Sequence, residues 1–489
     1  MLNSVNACLR LPLSMVMITL LCLVASQSGL ANELPQLGDS ASGTVAPDVE
    51  HRLGRAWLRV LRSRAPMISD PLVKDYTKHI IYKLAENSQL EDRRLEIAIV
   101  DSPQLNAFAV PGGIIGVNAG MFLYAHTEQE FSSVMAHELA HLSQRHYSRN
   151  VESAKRNTLP SLAALLVSVA IAATAGGDAG MAAIAATQGF FMDKQLRFSR
   201  QNEQEADRVG LSTMVASGMD PNAMASMFER MLASQRLAGS RPPEFLLSHP
   251  LTDSRVSDAR ARARTYPPAK FDENIEYYLM RNRIKLGYAD SPVESIKQFS
   301  SDLDSPDPLV AKSARYALAL ALNAANRSDE ANRTLLPLLQ ENPNRISFLV
   351  AYSEINREPH RLGEMQGLLG KHLSLNPNNY PLSMELAKNL ALQERFGEAA
   401  KILTQLSASR PNEPEIWYEL AEIQGKHGDI VGVHLARAEY FISTGRLDTA
   451  TEQLGFAANK VGVGNYPLRA KIEQRLVDVR NYKEELEQF

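Results

Sequence analysis

The run His137-Glu138-Leu139-Ala140-His141 lies inside the helix-forming stretch Glu128–Gln144, and the rest of the chain is read outward from it. On a helix, positions i and i+4 share a face, so both imidazoles reach one point. Glu138 projects beside that point and is placed to hold an attacking water. In the same stretch Phe131, Val134, Met135, Leu139 and Leu142 supply an apolar face, while Ser132, Ser133 and Gln144 are polar. Two imidazoles one turn apart with a carboxylate between them are a donor set for a divalent cation, at the spacing used by zinc-dependent protein hydrolases.

Such a site needs a third protein ligand and an open position. A third histidine on the metzincin plan requires Gly at 144 and His at 147, where this chain has Gln144 and Tyr147. His146, five residues after His141, faces away from the ligand side of a continuous helix and reads as a surface histidine or one backing the site. The other solution is a carboxylate from a second helix, the gluzincin arrangement. The run Asn202-Glu203-Gln204-Glu205-Ala206-Asp207 offers one. Glu203 and Asp207 are i and i+4, so Glu203 is the expected ligand and Asp207 the acceptor that orients a ligand imidazole. Glu205 points elsewhere and is the competing carboxylate.

Composition narrows the class. The chain has 489 residues, 45% of them hydrophobic, and a net charge of -3 without a Lys/Arg cluster. That balance argues against a nucleic-acid surface. At the N-terminus, Arg10 precedes the apolar run Leu11–Val24 and a small-residue exit at Gly29-Leu30-Ala31, the pattern of a signal peptide cut after Ala31. Cys8 and Cys22 both fall in that segment, leaving an exported chain that must bind metal with His, Asp or Glu. A bacterial periplasm fits such a chain at least as well as an animal secretion.

The expected organisation is a signal peptide over 1–31, a flexible lead-in over 32–48, a metal-binding hydrolase domain over 49–265, a helical connection over 266–305 and helical repeats over 306–489. Val73–Glu86 reads as a helix with Val73, Tyr76, Ile80 and Leu84 on one face. Leu95–Val100 reads as a strand, and Phe108–Val117 as a second, interrupted by Pro111-Gly112-Gly113. The segment Phe108, Ala109, Val110 is an expected exposed sheet edge beside the motif helix, to which an extended substrate would add as a strand. Two alanine-rich runs, Leu162–Ala175 and Met181–Phe191, are each too short for a membrane span and read as a helical hairpin, buried or grazing a bilayer, at about 160–191. A helix is expected over Gln201–Ser217. Beyond residue 306, Pro343, Pro377 and Pro411, each followed by Asn, recur every 34 residues, in register with Glu330, Glu364, Glu398 and with Leu335, Leu369, Leu403. That period is the mark of tetratricopeptide-type helix pairs, whose concave face suits a protein partner. The fold class is therefore α+β, predominantly helical, with a gluzincin domain followed by an α-helical repeat solenoid.

H-E-x-x-H followed by E-x-x-A-D resembles the signature of the HtpX-like and prenyl-protein-processing zinc metalloproteases, and Asn106–Gly113 resembles that family's segment before the motif helix. The resemblance implies one Zn2+ per chain held by His137, His141 and Glu203, with Glu138 as general base. It further implies that His249, in Ser248-His249-Pro250, is able to take the fourth metal position and leave the enzyme latent. For exported members with repeats, it implies a periplasmic endopeptidase. Unfolded or stalled outer-membrane proteins are its implied substrates, and the barrel assembly machinery is reached through the repeats. The alternative is mainly a chaperone or assembly adaptor whose protease is usually latent.

Overall fold

The computed structural model describes residues 46–153, 200–237, 243–462 and 464–487. The expected signal peptide, nearly all of the lead-in and the apolar hairpin lie outside the described residues. Where the lead-in was expected to run to 48, helix α1 already starts at Pro47 and continues to Arg64, with proline in its first turn.

Helix α2 (Pro71–Glu86) is capped by Asp70, whose side chain accepts from the N–H groups of Leu72 and Val73. Strands β1 (Glu96–Val100), β2 (Ala107–Val110) and β3 (Ile114–Asn118) form one sheet in the order β1-β3-β2, parallel between β1 and β3 and antiparallel between β2 and β3. The single interrupted strand expected over Phe108–Val117 is thus a hairpin. Gly112 and Gly113 take φ of 84° and 79°, the left-handed conformations that reverse the chain in three residues.

A short helix α3 (Gly120–Tyr124) leads to α4 (Glu128–Ser143), which carries the motif. Thr127 caps α4 by accepting from the Glu130 N–H, and Glu130 reaches back to the His126 N–H. Every residue of α4 from Glu128 to His141 is buried, including the face expected to be polar. Its polar groups find protein partners: Tyr76 donates to Glu128 at 2.7 Å, Arg230 grips Glu130, and Gln129 accepts from the Asp220 N–H. The helices that cover α4 are α2, α6 (Arg200–Ala216) and α7 (Asn222–Leu237). Between them lies α5 (His146–Ser153), and after α7 come α8 (Glu244–Ser248) and α9 (Asp253–Ala263).

Helices α10 (Ile275–Gly287) and α11 (Pro292–Asp302) connect to a C-terminal helical region. There α12 (Pro308–Ala324) pairs with α13 (Ser328–Glu341), α14 (Ile346–Ile355) with α15 (Leu362–Leu375), and α16 (Tyr380–Leu392) with α17 (Phe396–Ser409). The 34-residue columns occupy equivalent places in these pairs. Leu335, Leu369 and Leu403 are fully buried, and Glu330, Glu364 and Glu398 pair with Arg327, Arg361 and Arg395 at the starts of α13, α15 and α17. Beyond them, α18 (Pro414–His427), α19 (Ile430–Ser443), α20 (Leu447–Lys460) and α21 (Tyr466–Glu487) follow. Helix α19 packs on both α18 and α20. Among the described residues, no helix is long and apolar enough to cross a membrane.

Candidate metal centre

Helix α4 presents His137 and His141 on one side, and α6 crosses it to bring up Glu203. The crossing is close because Gly210 has no side chain. A Cβ there would lie 3.1 Å from the backbone of Ala136 and His137. His249 arrives from the end of α8, its ring stacked on Phe245 at 4.6 Å and its N–H bonded to the Phe245 carbonyl.

These four side chains converge. His141 Nε2 is 3.0 Å from His137 Nε2, and each lies 3.5 Å from a Glu203 oxygen. His249 Nδ1 is 3.4 Å from His137 Nε2 and 3.2 Å from Glu203 Oε1. Four ligands about 2.1 Å from a tetrahedral centre lie about 3.4 Å apart, so the donor set fits a small divalent cation. All four residues are buried, and they are the residues that could together hold a metal ion among those described.

Glu138 is 1% exposed and stands against this cluster. The Ala109 N–H reaches its carboxyl, but Oε1 has no hydrogen-bond partner among the described residues and is 3.5 Å from His249 Nε2. An orphaned buried carboxylate oxygen aimed at a metal-sized cluster is what a general base needs. Burial raises the pKa of Glu138, with His249 and His137 opposing. Burial would lower that of His137, but hydrogen bonds to Asp207 and Glu203 outweigh it and raise it to about 9. Burial and the neighbouring His137 hold His141 well below the usual imidazole range.

Asp207 sits as expected, Oδ1 3.0 Å from His137 Nδ1. Sequence reading missed its anchor. Arg255 of α9 grips Asp207 with two bonds of 2.7 Å, reaches Glu203 at 2.8 Å and donates to the Pro250 carbonyl at 2.8 Å. Arg255 lies 48 residues after Asp207, and no local spacing ties the two.

Three other readings are settled or changed: of the two places open to His146 the backing one holds, and Glu205 points elsewhere as read. His146 is not at the surface: it is fully buried, with Nδ1 2.9 Å from His141 Nδ1. Helix α4 stops at Ser143, and Arg145 takes φ 48°, so the chain turns back instead of running on. Glu205 does not compete for the metal position; its Oε2 accepts from His146 Nε2 and from Arg149, both at 3.1 Å. Finally, β2 is an outer strand of the sheet, but Phe108 and Val110 do not line a cleft. Phe108 lies over Gly116 and packs edge-on against Trp57 at 5.5 Å, and Val110 is fully buried. Ala109 is buried too, so the edge expected to be exposed is covered, and its backbone N–H bonds the Glu138 carboxyl.

A helix-borne histidine pair, a carboxylate from a crossing helix and a buried base together define a metallopeptidase. Residues 71–263 match the model of peptidase family M48. The chain belongs to that family. Over 93% of its length it is 33% identical to a Vibrio cholerae protein, of which it covers 95% and which carries the name beta-barrel assembly-enhancing protease provisionally. It is 32% identical over 94% of its length to the beta-barrel assembly-enhancing protease of Escherichia coli K12, covering 93% of that protein. The mitochondrial metalloendopeptidase OMA1 of Schizosaccharomyces pombe is 29% identical over 37% of this chain and half of its own.

Proposed function

We propose that this protein is a periplasmic zinc endopeptidase acting on outer-membrane β-barrel proteins that are misfolded or stalled in assembly. The observation that carries the peptidase reading is the cluster of His137, His141, Glu203 and His249 donor atoms, all within 4.8 Å of one another, with Glu138 beside it. The beta-barrel substrates and the compartment rest on the names of the relatives and the export pattern of residues 1–31. The tetratricopeptide-type helix pairs would recruit clients and the assembly machinery.

His137, His141 and Glu203 would hold the zinc. Bound there, the ion supplies Lewis acidity toward the scissile carbonyl and lowers the pKa of water. Glu138 takes the proton of the attacking water and hands it to the leaving amine. Asp207, clamped by Arg255, holds the His137 ring in the tautomer whose Nε2 is free to bind. The outer edge of β2 would align an extended substrate through backbone bonds once uncovered. In the Glu138→Gln protein, zinc content should stay stoichiometric while casein cleavage falls about 100-fold or more. Cleavage at the wild-type rate by that zinc-loaded variant would sink the reading.

A second reading, an assembly adaptor with a usually latent protease, is favoured by the place of His249. His249 would occupy the position that a bound zinc needs open for water or substrate. His249→Ala should therefore raise casein cleavage and self-cleavage. Full rescue of antibiotic exclusion in a deletion strain by Glu138→Gln would favour the adaptor, and no rescue the protease.

A further inference from the structure

Each imidazole of the motif helix, His137 and His141, is backed by an arginine-anchored carboxylate, but by two different routes. For His137 the route is direct, Nδ1 to Asp207 to Arg255. For His141 it is longer. Its Nδ1 is 2.9 Å from His146 Nδ1, His146 Nε2 is 3.1 Å from Glu205 Oε2, and Arg149 holds the same oxygen at 3.1 Å. Only one placement of protons satisfies this chain when His141 Nε2 faces the metal. His141 carries its proton on Nδ1 and donates to His146 Nδ1, and His146 carries its own on Nε2 and donates to Glu205.

The local backbone is built to allow it. Arg145, in the left-handed region, folds His146 beneath His141. Glu50 of α1 holds that turn through Arg145 at 2.9 Å and through Ser148. His146 is fully buried, so both its ring nitrogens need protein partners, and both have them at hydrogen-bond distance.

We infer that His146 and Glu205 form a positioning relay for the metal-binding His141, fixing its tautomer and ring orientation and raising its basicity. This rests on the reading of His141 as a zinc ligand. Partners of this kind typically change metal affinity 10–100-fold.

The test measures zinc affinity of the full-length protein by chelator competition, with melting temperature of the stripped protein as a check on folding. His146→Phe keeps the ring volume and removes the acceptor; zinc should bind about 10–100-fold more weakly. In His146→Asn the Oδ1 atom takes the place of the imidazole Nδ1, so it should recover most of that loss. Glu205→Gln, on a half-buried side chain, should weaken zinc several-fold in the wild type and have no effect in the His146→Asn background. Wild-type affinity in a folded His146→Phe protein would overturn the relay. So would a Glu205→Gln effect that persists undiminished beside His146→Asn. Failure of the wild-type protein itself to bind zinc would instead remove the metal reading on which the relay stands. Cobalt-loaded protein gives an independent readout, since a reoriented His141 shifts the visible absorption bands in His146→Phe and leaves them in place in His146→Asn.

Discussion

Glu244 shows how much a single residue governs at this site. It begins α8, the helix that delivers His249, and accepts from the Asn106 amide at 3.4 Å, while the Phe245 N–H bonds the Leu105 carbonyl. Burial raises its pKa to about 7, with the Asn106 bond opposing. An unfolded glutamate titrates near about 4.3. Between those values the folded state holds the proton and the unfolded state does not. The stabilisation is therefore full below about pH 4.3 and is lost as pH rises through about 7. Amide exchange of Phe245–His249, corrected for intrinsic rates, should be faster at pH 8 than at pH 5, and Glu244→Gln should abolish the difference. Equal protection at both pH values in the wild type would show that Glu244 does not hold the segment.

At the scale of elements, the site depends on the separation of α4 and α6. Gly210 lets the two backbones touch at Ala136 and His137, two turns from Glu203. Gly210→Val would force them apart, costing about 1–3 kcal/mol as overpacking does. Glu203 would then withdraw from His137 and His141. Zinc affinity should fall together with melting temperature. A variant that melts earlier yet binds zinc as tightly as wild type would show that the spacing is set elsewhere.

Helices α4 and α6 themselves were legible. The motif and the i, i+4 pair Glu203 and Asp207 follow from local spacing. The sheet edge was only half legible, because period-2 alternation says which residues share a face but not that α1 covers one face with Trp57. The choice between a surface place and a backing place for His146, and the partner of Glu205, were not legible for another physical reason. One left-handed residue at Arg145 ends the helical phase, and no residue type there announces it.

Across the whole molecule, the C-terminal helices close around α1 and α2. Lys74 of α2 meets Glu413 at 2.6 Å and Glu415 at 2.5 Å, and Asp75 meets Arg410 at 2.6 Å. Arg283 of α10 bridges Asp70 and Glu354 at 2.6 and 2.9 Å, and Arg59 of α1 lies over the Tyr482 ring at 3.8 Å. Lys74 is only 11% exposed, so its charge is largely desolvated and must be paired. Lys74→Glu would face two acidic groups at the same contact. It should cost about 3–5 kcal/mol and split or lower the thermal transition seen by calorimetry. An unchanged transition would mean that the contact does not couple the repeats to the metal-bearing part.

Local rules were enough for the chemistry of the site. Helical periodicity put His137 and His141 on one face with Glu138 beside it, and Glu203 with Asp207 on one face of a second helix, and a 34-residue period marked the helix pairs. Those rules act within a turn or a repeat, where sequence distance and spatial distance agree. Tertiary structure alone decided that Arg255 anchors Asp207, that His249 Nδ1 meets His137 and Glu203, and that His146 backs His141. It also decided that α2 docks on the repeats. These contacts join residues whose separation along the chain carries no period, and burial, which demands a partner for every charge, brings them together.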